Sequence, residues 1–448
     1  MTARRSVVVV GGGIVGLTVA HRLADSGCTV TVLEAAPEAG GLAAGWSVST
    51  PAGPVVWDRY YHVILESDAA LRGLLRELGL DASVHWGSTR TGAFVDGRLA
   101  PVSSPADYAR LPGLSPFAKA RIAATIGRGA TTHDWRALET VTAEAWLTRW
   151  SGRAAFERFW VPLLAAKLGT AWPEANAAFI WATIQRLTGA RRAGVREERF
   201  GVVPGGYGRI VATLVDHLRA RGVTVRTGVG VAQVRGGTPA TVVTGTGDEI
   251  VADDVVITTT PRTAARICPD LPSATARAYE SITYQGVVCA SLVLDRPLSP
   301  YYLTYLFDDL PFTAIVEMTT LVPRDWVGGH TLVYLPRYVA PDDRLHDLGD
   351  DEIVDRFLAG LRTVHAVPDH AVLGARVARA REVFPRPVLG YSTRVPGVVT
   401  GVPGVALVDS AQIVNGTLNV NESVTCATRG AAAVLGTAPV APAAPAVE

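Results

Sequence analysis

The feature that most constrains the fold is a glycine-rich turn near the amino terminus, between a run of valines and a helical segment. Residues 6–10 read SVVVV, and Gly11, Gly13 and Gly16 follow with the spacing G-x-G-x-x-G. A run of β-branched residues is typical of a parallel strand that is buried on both faces. Residues 16–26 then show helical periodicity, and the apolar run CTVTVLE follows them. The chain is therefore predicted to begin with a strand–helix–strand unit of a parallel α/β sheet.

The spacing of the three glycines predicts a site for the pyrophosphate of a dinucleotide. Gly11 allows a tight turn, Gly13 lets the backbone approach the phosphates, and Gly16 lets the helix pack closely on the strand. The first helical turn, which contains Ile14 and Val15, offers unpaired N–H groups and a positive potential to the same phosphates. We therefore expect this whole turn to contact the cofactor.

An acidic residue and a glycine pair after the second strand complete the nucleotide signature. Glu34, which precedes Ala35, ends the strand, where its carboxylate can accept hydrogen bonds from both ribose hydroxyls. Gly40 and Gly41 bring the backbone to the pyrophosphate a second time, with Leu42 next to them. Such a pair is a feature of FAD proteins, so the sequence favours FAD over NAD. No second G-x-G-x-x-G for NAD(P)H is evident, which favours the substrate as the electron donor.

The composition argues against several classes of protein. The 448 residues carry a formal net charge of +1, which gives no reason to expect a nucleic-acid partner. The longest apolar runs are far too short to span a bilayer, so no transmembrane segment is expected, and peripheral membrane contact stays open. The four cysteines show no CxxC pair and no metal-ligand spacing. We therefore expect reduced thiols, no metal and a cytoplasmic protein that acts on a small molecule, with the oligomeric state left open.

Segments of nucleotide-binding type recur at the start, middle and end of the chain, with other material between them. We predict an α/β fold with a discontinuous FAD-binding domain of the Rossmann-like, glutathione-reductase type. The second domain is predicted to be α+β, with a mixed sheet and a helical insertion. The predicted ranges are 1–100, 200–270 and 385–436 for the FAD-binding domain, 101–199 and 271–384 for the substrate domain with its helical part at 105–190, and 437–448 for a disordered tail.

Three segments resemble FAD-binding motifs of the flavin amine oxidase superfamily, which includes protoporphyrinogen oxidases, carotenoid desaturases and, more distantly, UDP-galactopyranose mutases. The first is the amino-terminal glycine-rich segment, and the resemblance extends over nearly the whole chain. The segment from VVPGGYGRI to GVGVAQV is similar to the second motif, which implies that the backbone of Val231 contacts the adenine. GVALVDSAQIVNGTLNVNESV is similar to the carboxy-terminal motif, which implies that Asp409 lies near the ribityl or pyrophosphate group. It also implies a helix that starts at Asn421, after Val420, and points its amino terminus at the flavin pyrimidine.

The sequence departs from amine oxidases at three points. Leu42 stands where those enzymes usually have an arginine after the glycine pair, so one pyrophosphate contact must come from elsewhere. No cysteine lies in a pattern like that of covalently flavinylated amine oxidases, so we expect noncovalent FAD. No lysine is obviously placed to hold a water at flavin N5, and Lys167 is a candidate only if its helix faces the flavin.

The segment WDRYYHVILES, which follows the glycine pair, mixes charged, aromatic and apolar residues. The resemblance implies that Arg59, Tyr60, Tyr61 and His62 lie beside the flavin ring. His62 could then act as acid or base, because an imidazole titrates near neutral pH, and Arg59 could hold a carboxylate or phosphate. The alternative is a structural ion pair between Asp58 and Arg59, with His62 a buried histidine whose hydrogen bonds are satisfied.

Further catalytic candidates lie in the predicted substrate domain and at its return to the FAD-binding domain. They are Glu317 in TAIVEM, Tyr334 with Arg337 and Tyr338 in HTLVYLPRYV, and Arg386 with Tyr391 in VFPRPVLGYS. Each could instead be a polar residue of a sheet or of the surface. Together they would suit a pocket with aromatic walls and a few fixed charges.

Three functions stay open from the sequence. The favoured one is an FAD-dependent oxidase, dehydrogenase or desaturase that takes a hydride from a C–N or C–C bond of a small, partly apolar metabolite, with flavin N5 as acceptor. The second is a non-redox mutase or isomerase of nucleotide sugars, for which Arg191 and Arg192 are candidate pyrophosphate ligands. The third is a flavin-binding protein without turnover of its own.

Overall fold

The structure, a computed structural model, describes residues 4–192, 199–414 and 419–437. The strands in these ranges are β1 (Ser6–Val10), β2 (Thr29–Leu33), β3 (Gly45–Val48), β4 (Val55–Asp58), β5 (Ile64–Leu65), β6 (His85–Ser88), β7 (Thr91–Val95), β8 (Arg98–Pro101), β9 (Arg199–Val202), β10 (Thr224–Arg226), β11 (Val231–Arg235), β12 (Ala240–Thr244), β13 (Glu249–Ala252), β14 (Asp254–Ile257), β15 (Tyr284–Leu294), β16 (Leu303–Leu306), β17 (Ala314–Glu317), β18 (Thr331–Val339), β19 (Val372–Pro385) and β20 (Val405–Leu407). The α-helices are α1 (Ile14–Asp25), α2 (Ala69–Glu77), α3 (Pro105–Arg110), α4 (Pro116–Thr131), α5 (Trp135–Glu139), α6 (Ala143–Ser151), α7 (Arg153–Ala155), α8 (Val161–Leu168), α9 (Ala177–Arg192), α10 (Gly206–Ala220), α11 (Pro261–Ile267), α12 (Ser273–Glu280), α13 (Asp350–Val364) and α14 (Val420–Val434). The predicted disordered tail lies outside the described ranges except for Thr437.

A five-stranded parallel sheet joins the start, middle and end of the chain in the order β10-β2-β1-β14-β20. The run of valines in β1 suits its central place, because Val7 and Val9 pack with α1, α10 and α14 while Val8 and Val10 pack on the opposite face. The antiparallel sheet β11-β12-β13 and α11 cover that opposite face. Both faces of β1 are thus buried, as is typical of strands in parallel sheets. The predicted α/β class is confirmed.

A seven-stranded mixed sheet forms the second large layer, in the order β19-β15-β18-β17-β16-β7-β8. β7 pairs with β16 in parallel, and the other neighbouring strands are antiparallel. α13 covers one face through Phe357 and Leu361, while Trp57 and Tyr60 pack against the other. β7 and β8 belong to this sheet although the sequence assigned them to the FAD-binding domain. The domain ranges stay a proposal, and this pairing argues for a first boundary near residue 90.

Helices α3 to α9 occupy residues 105–192, where the sequence predicts a helical insertion. Trp146 and Phe156 are buried in the core of this layer, so the aromatic residues at helical spacing serve packing. A π-helical turn at Phe156–Trp160 leads directly into α8. No helix in the described ranges is long and apolar enough to cross a membrane.

The small antiparallel sheet β3-β4 links the two large layers, since β3 contacts both α10 and β19. Its second strand ends at Asp58, and the segment with Arg59, Tyr61 and His62 follows at once. The residues that the sequence singles out here are therefore held between the parallel sheet with its helices and the mixed sheet.

Candidate functional site

The glycines after β1 form a turn that only glycine can make at two of its positions. Gly11 has φ of +112°, in the region that favours glycine. A Cβ on Gly16 would lie 2.0 Å from the carbonyl oxygen of Gly11, because the first turn of α1 sits directly on the strand end. Gly13 is the N-cap of α1, and Ile14 and Val15 begin the helix, with the Val15 side chain in the core. The turn therefore aims the amino terminus of α1 at one fixed point.

The second glycine segment lies beside this helix terminus. The N–H of Gly40 donates to the carbonyl oxygen of Gly12 at 2.8 Å, and Gly13 and Gly40 form a parallel bridge. A Cβ on Gly13 would meet no atom within 4 Å, so the groove beside it is open. The first turn of α1 has no side-chain cap and no acidic residue. An open groove lined by glycine backbone and uncapped helix N–H groups fits a pyrophosphate.

Glu34 lies at the end of β2 next to this groove. Its carboxylate accepts hydrogen bonds from the N–H groups of Gly12, at 2.6 Å, and Ala36, at 2.8 Å. Each carboxylate oxygen keeps acceptor capacity for a hydroxyl group. The N–H of Val229 donates to the Glu34 carbonyl at 2.8 Å, so the chain that leads into Val231 passes beside this residue.

Four more predicted cofactor residues lie in the segments that follow β2 and β4. Ala35 is exposed beyond Glu34, and Gly41 follows Gly40 with φ of +57°. Leu42 is half-buried, and Tyr60 is buried in the core that joins β4 to the mixed sheet. Since Leu42 and Tyr60 pack as core residues, the arginine that amine oxidases usually carry after the glycine pair has no side-chain equivalent at position 42.

The carboxy-terminal motif contains a buried acid and the start of α14. The carboxylate of Asp409 accepts from the N–H of Ala411 at 2.8 Å, and burial raises its pKa to about 7. α14 begins at Val420 with Asn419 as its N-cap, one residue before the start at Asn421 that the resemblance implies. The Asn421 side chain accepts hydrogen bonds from the N–H groups that begin α2, at 3.0 and 3.1 Å. It therefore fixes α2 against α14.

Asp58 is buried and bound to the start of α10. Its carboxylate accepts from the N–H of Gly208 at 3.2 Å, and its carbonyl oxygen accepts from the hydroxyl of Tyr334 at 2.5 Å. Burial raises the pKa of this carboxyl to about 8. Among the ion pairs of the described residues none joins Asp58 to Arg59, so the alternative of a structural pair was wrong. Arg59 instead has a buried Nε without a hydrogen-bond partner, and its guanidinium lies 5.9 Å from the Trp46 ring.

His62 is buried against Tyr207, with 5.0 Å between the ring centroids. The pKa of this imidazole is lowered to about 4, chiefly by burial and in smaller part by the positive charge of Lys167. His62 is therefore neutral at neutral pH in this structure. The expectation that it titrates near neutral pH does not hold here, because burial removes the water that would stabilise the imidazolium.

Burial of His62 predicts an acid-sensitive contribution to stability. Unfolded His62 gains a proton below about pH 6.5, whereas the folded imidazole stays neutral down to about pH 4. The folded protein should therefore lose stability relative to His62→Gln as the pH falls through this window, by up to about 1.4 kcal/mol per pH unit. Urea denaturation at several pH values measures the difference. The same substitution at the exposed His133 is the control, and parallel pH curves for wild type and His62→Gln would contradict the prediction.

A large cavity of about 770 Å³ lies between the helical layer and the mixed sheet. Its walls come from α4, α8 and α9 and from strands β16 to β18, and it reaches Ser410 and Ile413 of the carboxy-terminal motif. Most lining side chains are apolar or aromatic. The charged groups in the described lining are Lys119 and Lys167, and no aspartate, glutamate or arginine is among them.

The structure brings three of the catalytic candidates, Tyr61, Tyr338 and Tyr391, to the lining of this cavity. The other candidates lie outside the lining: Arg59, His62, Glu317, Tyr334, Arg337 and Arg386. Glu317 is buried and accepts from the N–H of Ser299 at 2.9 Å, and burial raises its pKa to about 7. Tyr334 is fully buried, and its hydroxyl donates to the carbonyl oxygen of Asp58. Arg386 lines a separate cavity of about 220 Å³ and lies 3.8 Å from Glu174. Glu317 and Tyr334 thus stabilise the local packing, and Arg386 belongs to a different pocket.

Lys167 and Tyr338, both named as candidates from the sequence, lie next to Tyr61. The Nζ of Lys167 donates to the hydroxyl of Tyr338 at 2.9 Å and to that of Tyr61 at 3.2 Å. The two hydroxyls are 3.0 Å apart. All three residues line the large cavity. The helix of Lys167 therefore faces the cavity, and the scarcity of lysine in the sequence was the available signal.

A family model, "Flavin containing amine oxidoreductase", matches residues 14–435. The chain belongs to this family. The match includes α1, the glycine pair Gly40–Gly41 and α14. A flavin-dependent oxidoreductase follows from that membership.

Solved structures with the same fold cover nearly the whole of this flavin amine oxidoreductase. A protein provisionally described as a protoporphyrinogen oxidase, from Exiguobacterium sp. 255-15, has a TM-score of 0.76 at 18% identity and covers 97% of this chain and 99% of its own. Reduced UDP-galactopyranose mutase has a TM-score of 0.74 at 16% identity and covers 97% and 96%. At these identities the likeness establishes the fold alone.

A curated relative matches a short part of the sequence. Carotenoid phi-ring synthase of Streptomyces griseus is 40% identical over 77 residues, which are 17% of this chain and 15% of the relative. The match thus spans about a seventh of the relative's length.

Proposed function

We propose that the flavin is FAD and that it binds noncovalently. The dinucleotide is supported by Glu34 at the end of β2, by the paired glycine segments, and by the strand of Val231 beside Glu34. Arg59, whose buried Nε has no hydrogen-bond partner, would contribute a donor that Leu42 cannot. Cys426 is the cysteine next to the carboxy-terminal motif, and burial raises its pKa to about 12. A thiol that stays protonated is a poor nucleophile for attachment to a flavin.

We propose that the enzyme dehydrogenates an extended apolar substrate held in the large cavity. The observation that carries this proposal is the cavity itself, because about 770 Å³ of mostly apolar wall suits a large hydrophobic molecule. The short match to carotenoid phi-ring synthase, whose name indicates an extended apolar substrate, supports the same class. The cavity also reaches Ser410 of the carboxy-terminal motif, which brings the substrate toward the cofactor.

The charges of the cavity favour a substrate that is dehydrogenated at a C–C bond over a cationic amine that is dehydrogenated at its C–N bond. An ammonium group taken out of water needs an anionic or strongly accepting partner. The described lining offers no carboxylate and instead contains Lys119 and Lys167, whose charges oppose a cation. Formation of a C=C bond removes a hydride from one carbon and a proton from its neighbour, and it needs no charge on the substrate.

The protein residues contribute binding, orientation and exclusion of water. The flavin, when bound, supplies a hydride acceptor. The apolar walls from α4, α8 and α9 displace water from the substrate, and Tyr61 with Lys167 presents a polar end at one side of the cavity. The buried neutral His62 packs against Tyr207, outside the described lining of the cavity.

The mutase alternative has less support in the cavity. A nucleotide sugar carries a diphosphate, which proteins usually bind with arginine forks or helix termini. No arginine is among the described residues that line the cavity. The side chains of the candidates Arg191 and Arg192 lie outside the described part of the structure.

Anaerobic mixing of the flavin-loaded enzyme with panels of donors tests the proposal. We expect neutral or acidic apolar donors to bleach the oxidised-flavin absorbance and primary alkylamines to leave it unchanged. UDP-galactose, offered before and after chemical reduction of the flavin, reports mutase activity in the same experiment. Faster bleaching by the amines, or turnover of the nucleotide sugar alone, would overturn the assignment.

A further inference from the structure

Lysine is rare in this sequence, and both lysines face one cavity. Lys119 and Lys167 are the lysines among 42 basic residues, and the others are arginines. Both line the large cavity, and no acidic side chain is among its described lining residues. Lys167 is exposed and Lys119 is half-buried, so water solvates both charges in the free enzyme. An apolar substrate that displaces this water leaves the charges without a partner unless it carries an anion itself. The cavity therefore has a charge that its own described residues do not balance.

The two lysines differ in their surroundings. Lys119 donates to the carbonyl oxygen of Ala109 at 2.8 Å, which gives it an ordinary backbone acceptor. Lys167 donates to two phenol oxygens and lies 4.5 Å from the centre of the Tyr338 ring and 5.5 Å from that of Tyr61. Phenols and aromatic rings stabilise a cation without neutralising it. No ion pair of the described residues joins Lys167 to an acidic side chain.

The hydrogen-bond donors that this cluster has left for a ligand match the two oxygens of a carboxylate in number. Lys167 has three N–H donors, of which two point at the tyrosines. One tyrosine donates its hydrogen to the other across 3.0 Å, so the second keeps an O–H donor for a ligand. Burial raises the pKa of Tyr61 well above its usual value, which keeps this phenol protonated. One charged N–H and one O–H are left, and a carboxylate has two oxygens to accept them.

The cluster is fixed by the backbone around it. α8 ends at Leu168, and Gly169 follows with φ of +54°. A Cβ on Gly169 would lie 2.9 Å from the carbonyl oxygen of Tyr338, so the end of α8 packs directly on β18. Lys167 and Tyr338 are therefore held side by side before any ligand arrives, which lowers the entropy cost of binding.

We propose that Lys167, Tyr61 and Tyr338 bind a carboxylate group of the apolar substrate and fix its position in the cavity. This rests on the proposed function, since it names a chemical feature of the same substrate. A hydrocarbon without an acidic group would leave the cluster without a partner. The substrate class is thus an apolar molecule that ends in a carboxylate.

Binding of dodecanoate and of methyl dodecanoate to the flavin-loaded enzyme tests the inference, by calorimetry below the concentration at which the acid forms micelles. The two probes share the apolar chain and differ in charge. We expect wild type to bind the acid at least about tenfold more tightly than the ester, the size expected for a charge-assisted hydrogen bond. Lys167→Met should remove this preference and leave ester binding within about twofold. Tyr338→Phe should reduce it severalfold, and Lys167→Arg should retain part of it.

Equal affinity of wild type for the two probes, or no binding of dodecanoate, would overturn the inference. An equal loss of acid and ester binding in Lys167→Met would do the same, because it would show a packing effect. The measurement uses oxidised enzyme without turnover. A preference for the acid that depends on Lys167 would therefore stand even if no donor reduced the flavin, and donor reduction without that preference would leave only the proposed function.

Discussion

Gly16→Ala is expected to yield protein without bound flavin. The added methyl group would lie 2.0 Å from the Gly11 carbonyl oxygen and 2.6 Å from the Thr258 hydroxyl, whereas real Cβ contacts stay above 3.0 Å. The first turn of α1 must then move away from the end of β1 by about 1 Å. In the proposed FAD site that turn supplies the N–H groups for the pyrophosphate, so the groove would lose its shape as well as its donors. The flavin-to-protein ratio after purification, from absorbance, measures the effect.

Gly73→Ala is the matched control for this change. Gly73 lies inside α2, its φ is not positive, and a Cβ there would meet no atom within 4 Å. Alanine should therefore stabilise the helix slightly, by about 1 kcal/mol, and leave the flavin content unchanged. Full flavin content in Gly16→Ala, with a folded circular dichroism spectrum, would show that the groove tolerates the shift and that the glycine spacing is not required.

The parts of the fold that the sequence predicted are those in which local chemistry and tertiary role coincide. The valines of β1 alternate between two cores, so their β-branched run is both a local preference and a packing requirement. Gly16 and Gly40 are required by backbone contacts within the same short unit. The glycine-lined groove that we propose as the flavin site was therefore predictable from a few short segments.

The long strand β19 was not predicted, and its charges explain why. Arg376, Arg379 and Arg381 fall on both faces of the strand, so the alternation of apolar and polar residues is lost. Their partners are remote in sequence. Arg376 donates to the carbonyl oxygen of Ser47 at 2.9 Å, and Arg379 pairs with Asp350 at 2.6 Å. Only the folded chain brings these acceptors to the strand.

The catalytic candidates show a similar limit. Polar residues within apolar strands are candidates for a catalytic role, and Glu317 and Tyr334 both fit that pattern. In the structure both polar groups bind the backbone: the Glu317 carboxylate accepts from the N–H of Ser299, and the Tyr334 hydroxyl donates to the carbonyl oxygen of Asp58. Lys167 looked like an ordinary helix-end charge, yet it faces the cavity. Residue type indicates which groups can react, and the direction of the side chain decides which of them meet a ligand.

Ala166→Phe is expected to lower kcat/KM by about 100-fold, measured with any donor that reduces the flavin. A loss of this size is typical when a substrate is displaced by about 1 Å from its reacting position. Ala166 lies on α8 next to Lys167 and lines the large cavity. A phenyl ring at this position would occupy space beside the proposed carboxylate site, so an extended substrate could not seat its polar end. Flavin content should stay at the wild-type level, because the groove formed by Gly13 and Gly40 lies elsewhere. Steady-state kinetics together with the absorbance ratio separates the two effects.

Ala165→Phe provides the control on the same helix. Ala165 is likewise half-buried and precedes Ala166, but it is not among the residues that line the cavity. Both variants place the same bulky side chain in α8, so a loss of helix stability would affect them alike. We expect Ala165→Phe to keep kcat/KM within about threefold of wild type, since it leaves the substrate at its reacting position. Equal losses in the two variants, or none in Ala166→Phe, would show that the substrate does not occupy the cavity and would remove the main support for an extended apolar substrate.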